Sequence, residues 1–222
     1  MAFRILVADD HEVVRRGLCE LVTNHAGWEV CGQAADGREA VAKVTNLNPD
    51  VIILDVAMPN LNGLEAARQI LKNHPSTKVL ILTLHGSPAV IEEVVSAGAR
   101  GFLLKSDAVR DLVIAIEALE QGRTYFTSRV AETVLHGFLN RDAEPPPEAP
   151  PRSRLTGRER EIVQLLAEGK TCRGVAEALG MSVKTAETHR SNIMRKLRLH
   201  SVSDLVLFAI RNNIVHVSDA QI

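Results

Sequence analysis

Apolar positions in the first half of the chain follow two alternating periodicities. Ile5, Leu6, Val7 and Ala8 form a short run that stops at Asp9-Asp10, and residues 28–34, 51–55, 78–82 and 101–104 repeat the pattern. Short, largely continuous apolar runs bounded by polar residues predict strands buried on both faces, as inside a parallel sheet. Between them the spacing changes to three and four. Val13, Val14, Leu18, Leu21 and Val22 trace one helical face, and residues 37–44, 64–71, 89–97 and 112–119 predict four further helices, with Asn48-Pro49 and Gly98 as breaks. Five strands alternating with five helices predict an α/β, doubly wound, five-stranded parallel sheet with right-handed crossovers and helices on both faces.

The pattern then changes. Residues 123–139 hold one more amphipathic stretch (Val130, Val134, Leu135, Phe138), and residues 140–153 carry five of the chain's nine prolines and no core-forming side chain. That composition predicts an exposed, semi-extended linker and a domain boundary. Beyond it the tail is helical throughout. Thr156 with Glu159, and Ser201 with Asp204, have the spacing of capping boxes that open a first and a last helix. A short helix at 172–179 stops at Gly180, and Ser182 caps the next, which runs to about Arg198. Two helices joined by a tight glycine turn predict a small all-α helix-turn-helix domain. The expected division is residues 1–122, a linker at 123–153, and a second domain at 154–222.

Bulk properties narrow the function. At 222 residues the chain has room for two domains, and 45% hydrophobic with 24% charged residues is a soluble balance. No apolar run approaches the ~20 residues of a membrane span. A first strand starting near Phe3 leaves no room for a signal peptide. Three cysteines without ligand spacing predict neither a disulfide framework nor a metal knuckle, so a cytoplasmic location is expected. The net charge of −1 hides an asymmetry: residues 1–150 hold 14 Lys and Arg against 20 Asp and Glu, residues 151–222 hold 12 against 7. The basic tail favours a polyanionic partner.

In an open parallel sheet, residues that end the strands share one edge, where ligands bind. Asp9 and Asp10, Asp55, Thr83 and Lys105 end the first, third, fourth and fifth strands. One such residue is more often a turn or cap; four strands supplying complementary groups to one edge form a site. Clustered carboxylates need a cation, and hard oxygen ligands suit Mg2+. A carboxylate nucleophile, a metal and a lysine together suit phosphoryl transfer.

This pattern, with Met58-Pro59 and Gly63 behind Asp55, resembles the receiver domain of bacterial two-component response regulators. The resemblance implies that Asp55 accepts a phosphoryl group from a sensor histidine kinase. It implies Mg2+ held by Asp9, Asp10, Asp55 and the Ala57 carbonyl, Thr83 and Lys105 on the phosphoryl group, and Phe102 as an aromatic that turns inward when Thr83 moves. Ala57 and His85 flank the site and would tune the lifetime of the acyl phosphate. Two departures from the family pattern stand out, Phe102 where many receivers have Tyr and Ser106 where many have Pro.

In the tail, Leu155-Thr156-Gly157-Arg158-Glu159, Val175-Ala176, Leu179-Gly180, Thr185-Ala186-Glu187-Thr188-His189 and Lys196-Leu197 resemble the LuxR-type helix-turn-helix. Both halves together resemble a NarL/FixJ-family response regulator. Gly157 stands where the family usually has Pro, Ala186 where it has Val, and Arg198 where it often has Gly or Asn. Ala186, Ile193 and Leu197 predict the buried face of the third tail helix. The opposite face predicts double-stranded DNA contacts: Glu187, Thr188 and Ser191 at base edges, with Lys184, Thr185, Arg190, Arg195 and Lys196 completing the interface, the cations among them on phosphates. A final helix from Ser201 would pair two copies into a homodimer on a palindromic or repeated site. RNA polymerase is a further expected partner, and a membrane is not.

The expected function is a DNA-binding transcriptional regulator switched by phosphorylation of Asp55, with no enzyme activity beyond the receiver's own phosphoryl transfer and dephosphorylation. One rival keeps the DNA binding and makes the receiver a phosphate-independent dimerisation scaffold. Another is a phosphoaspartyl phosphatase, for which the sequence offers no separate general acid.

Overall fold

The computed structural model describes residues 2–84, 86–127, 130 and 155–215. The chain divides into two compact units, Met1–Ala143 and Glu144–Ile222. Most of the predicted amphipathic stretch at 123–139 (residues 128, 129 and 131–139) and the proline-rich linker lie outside the described residues, as does His85.

In the first unit β1 (Phe3–Ala8), β2 (Trp28–Ala34), β3 (Val51–Asp55), β4 (Lys78–Thr83) and β5 (Gly101–Leu104) form one sheet in the order β2-β1-β3-β4-β5. Every pair is parallel. The crossovers carry α1 (Glu12–Thr23), α2 (Gly37–Leu47), α3 (Gly63–Asn73) and α4 (Pro88–Ser96), and α5 (Ala108–Glu120) follows β5. Side chains alternate across the sheet, so two cores form. Leu6, Ala8, Ile52, Leu54, Ile81 and Phe102 pack with α2, α3 and α4, whereas Ile5, Val7, Ile53, Leu80, Leu82 and Leu103 pack with α1 and α5. Both faces being covered explains the near-continuous apolar runs.

Local signals set the helix starts. Asp36 and Asn62 each accept the amide of the residue three positions on, at 2.9 Å, and Ser87 caps α4 with Pro88 in its first turn. Gly63 is where α3 passes closest to β3: a Cβ there would lie 1.9 Å from the Asp55 carbonyl oxygen. Beyond α5 the chain returns to the open edge of the sheet. The Phe102 amide donates to the Tyr125 carbonyl and the Tyr125 amide to the Arg100 carbonyl, both at 3.0 Å, giving a one-residue parallel bridge beside β5. Periodicity does not foretell this bridge, because backbone groups make it.

The second unit comprises α6 (Gly157–Ala167), α7 (Cys172–Leu179), α8 (Val183–Leu197) and α9 (Val202–Arg211). Both predicted capping boxes form, Thr156 with Glu159 and Ser201 with Asp204. Gly180 ends α7 in the left-handed region at φ 62°, a conformation glycine adopts without steric cost. The core joins Ile162, Leu165, Val175, Leu179, Ala186, Ile193, Leu197, Leu205 and Phe208. Among the described residues no helix is long and apolar enough to cross a membrane.

Candidate functional site

The strand registers explain which side chains meet at the carboxyl edge. Val7 pairs with Ile53 and Asp55 with Leu82, and Leu82 pairs with Leu103, so continuing each strand puts Asp9, Asp55 and Lys105 on one face. Thr83 pairs with Leu104 and Ile81 with Phe102, which puts Thr83 and Phe102 together on the other face. Asp9, Asp55 and Thr83 are all buried.

Lys105 Nζ lies 2.7 Å from Asp9 Oδ2 and 2.9 Å from Asp55 Oδ2. Beyond these ion pairs, neither Asp55 oxygen nor Asp9 Oδ2 meets a donor in full hydrogen-bond geometry. Burial pushes the Asp55 carboxyl up to about 6, against the opposing pull of Lys105 and the Ala57 amide. Burial alone would depress Lys105, but Asp55 and Asp9 outweigh it and hold the ammonium above its ordinary value. The site therefore contains one lysine for two buried acids, with acceptor oxygens left over.

Asp10 and His11 complete the rim. Asp10 is exposed, and its Oδ1 lies 2.7 Å from His11 Nδ1, while the His11 amide donates to Asp9 Oδ1 at 2.9 Å. Asp9, Asp10, His11 and Asp55 each place one ligand atom within 4.8 Å of the others. Three carboxylates, two of them buried with oxygens that lack a hydrogen-bond donor, are the donor set a hard divalent cation takes. Phe102 is buried, and with Leu84, Gly86, Ile91, Leu104 and Val130 it lines a cleft of about 430 Å³.

On α8 the predicted faces separate. Ala186, Ile193 and Leu197 are buried, and Lys184, Thr185, Glu187, Thr188, Ser191 and Arg195 are exposed. Arg190 is half-buried. Lys196 differs from the other predicted DNA contacts, since its Nζ is 3.0 and 2.7 Å from the two carboxylate oxygens of Glu159 on α6.

Comparison with known proteins finds a family match for each half of the chain. Residues 5–117 match the response regulator receiver domain, and residues 153–209 match the LuxR family of bacterial regulatory proteins. The oxygen regulatory protein NreC of Staphylococcus epidermidis is 37% identical over 215 residues, covering 96% of this chain and 99% of that one. The chain is a response regulator of the LuxR-type, NarL/FixJ family. The transcriptional regulatory protein LiaR of Bacillus subtilis is also 37% identical, over 213 residues, with the same coverage. Among solved structures, a LuxR-family response regulator from Aurantimonas aligns at TM-score 0.58 and 32% identity, covering 63% of this chain and 99% of that one. The RcsB–DNA complex aligns at 0.58 and 25%, covering 96% and 99%. As a family member the chain carries a receiver domain and a LuxR-type DNA-binding domain.

Three features of this response regulator were not expected from its sequence. His11 reaches the acidic cluster, Arg15 reaches back from α1 to donate to the Asp9 carbonyl at 2.7 Å, and Lys196 is tied to Glu159. Polar residues in a first helical turn read equally well as caps or solvated positions, and a lysine on a basic helix carries no mark of a partner 37 residues away.

Proposed function

We propose that Asp55 is the phosphoacceptor of this response regulator and that its phosphorylation controls DNA binding by the LuxR-type domain. The observation that supports this most is the buried Asp55 carboxylate, with unsatisfied oxygens and Lys105 2.9 Å away. Raised to about 6, Asp55 is still mostly ionised at neutral pH and, being weakly solvated, is a competent nucleophile. One carboxylate oxygen attacks phosphorus, a P–O bond forms, and the P–N bond of a phosphohistidine breaks with its electron pair returning to the imidazole. Asp9, Asp10, Asp55 and the Ala57 carbonyl would hold Mg2+, which would supply positive charge against the phosphoryl oxygens. Lys105 then exchanges its ion pair with Asp55 for one with the new phosphoryl group. Thr83 donates its hydroxyl to the same group, and its shared face with Phe102 passes the change to the α4–β5 side of the sheet.

The partners are a sensor histidine kinase, double-stranded DNA and a second copy joined through α9, whose Val202 and Leu207 are exposed. RNA polymerase and a cytoplasmic site of action follow from the same reading, as does the absence of any catalysis beyond phosphoryl transfer on the chain itself. Residues 1–122 form the receiver and 154–222 the DNA-binding domain.

The test is phosphoramidate plus Mg2+ on the wild type and on Asp55→Asn, with intact mass, size in solution and DNA affinity measured together. One added phosphoryl group, dimerisation and tighter DNA binding should appear in the wild type alone. Equal dimerisation and affinity in both proteins would make the receiver a phosphate-independent scaffold.

A further inference from the structure

The first turn of α6 holds both helices of the helix-turn-helix. Arg158 Nη2 donates to the Leu179 carbonyl at 2.7 Å, at the last residue of α7 before the glycine turn. Its Nη1 is fixed by Glu161 at 3.0 Å. One residue on, Glu159 takes Lys196 of α8 on both carboxylate oxygens and also accepts the Thr156 amide at 2.7 Å. Glu159 is therefore both the closing residue of a capping box and the anchor of the recognition helix. Burial would raise its carboxyl, but Lys196 and the Thr156 amide outweigh burial and hold it below its ordinary value.

Position on the helix distinguishes Lys196 from the true outer face. At roughly 100° per residue, Lys184, Thr188, Ser191 and Arg195 cluster around one direction, and Lys196 stands about 120° away, toward the buried Ile193 and Leu197. Arg190 flanks that face at a similar angle on the other side, and no partner for its guanidinium is found among the described residues. The two flanking cations thus differ: one is free to meet a phosphate, the other is already neutralised. A DNA phosphate approaching Lys196 would also meet the Glu159 carboxylate.

Resting on the DNA-binding reading of this domain, we infer that Glu159 and Lys196 are a positioning pair that sets the recognition helix, and that Lys196 is not a phosphate contact. The acid is as necessary as the base. Removing either loosens the last turns of α8 against α6 and tilts the exposed face away from its best fit to the groove. The effect is on affinity at every salt concentration, not on the number of counterions released.

The probe is a duplex enriched from a random-sequence pool by the full-length wild-type chain treated with phosphoramidate and Mg2+. Affinity is measured against salt for the wild type, Glu159→Gln, Lys196→Gln and the double variant Glu159→Gln/Lys196→Gln. Gln at 159 retains an acceptor for the Thr156 amide, so the cap survives. A partly exposed ion pair contributes up to about fivefold per protomer, so each single variant should weaken the dimer's binding by about tenfold with the salt slope unchanged, and the double variant should lose no more than either single one. Tighter binding by Glu159→Gln, a shallower slope in Lys196→Gln, or losses that add in the double variant would make Lys196 a phosphate contact and overturn the inference. Unchanged binding in all variants would overturn it equally. A wild type that enriches no duplex would instead overturn the DNA-binding reading beneath it.

Discussion

At Asp55 the same burial that would make the proposed nucleophile also costs stability. The unfolded carboxyl titrates near 3.8 and the folded one near 6. Between those values the folded protein holds a proton that the unfolded chain has lost, so stability falls as pH rises through the window and is fully present only below it. The ceiling on that cost is on the order of 2–3 kcal/mol. Asp55→Asn should accordingly raise the unfolding temperature of metal-free protein near neutral pH, and the gain should fade as pH drops toward 3.8. Parallel pH profiles for the two proteins would show that Asp55 is not desolvated. Added Mg2+ should stabilise the wild type by about 2.7 kcal/mol at a hundred times its Kd, and should stabilise the variant much less.

The residues of this site were legible in the sequence to the extent that strands announce their own ends. Asp9, Asp55, Thr83 and Lys105 each close an apolar run, and parallel topology sends every such end to one edge. His11, Arg15 and the role of Glu159 were not legible. Their partners depend on tertiary approach, which neither periodicity nor spacing encodes.

Among the elements, legibility was high for the same reason. Strands buried on both faces and helices with one apolar stripe have different periods, and Asp36, Asn62, Ser87, Thr156 and Ser201 mark helix starts by chemistry visible in one dimension. The end of α8 is an exception with a measurable consequence. Arg198 terminates the helix in the left-handed region, at φ 55° and ψ 41°, a conformation that favours Gly or Asn. A side chain with a Cβ there costs about 1–2 kcal/mol, partly offset by the greater freedom glycine has in the unfolded chain. Arg198→Gly should therefore stabilise the DNA-binding domain by about 0.5–1 kcal/mol, read as a higher denaturant midpoint with an unchanged slope. A loss of stability would mean that the Arg198 side chain makes a contact worth more than the backbone strain.

For the whole molecule, charge distribution and phosphorylation meet in one observable. The acidic first part, with 14 Lys and Arg against 20 Asp and Glu, and the basic tail, with 12 against 7, direct DNA to the second domain alone. On the proposed DNA-binding reading each protomer would offer Lys184, Arg190 and Arg195 for phosphates, with Lys196 held by Glu159. Counterion release gives a slope of log affinity on log salt of about −0.9 per phosphate neutralised. A monomer on one half-site should then show a slope of about −3, and a dimer on two half-sites about −5. If Lys196 also met phosphates, the dimer would approach about −7. If phosphorylation of Asp55 acts by populating the dimer, as proposed above, treatment with phosphoramidate and Mg2+ should steepen the slope of the wild type from the first value to the second. Asp55→Asn should stay at the first. A constitutive scaffold would give the steep slope with or without phosphodonor, since its dimer never depends on the acyl phosphate. Salt titration thus separates the switch from the scaffold without knowledge of the natural binding site, because it counts phosphates whatever the base sequence.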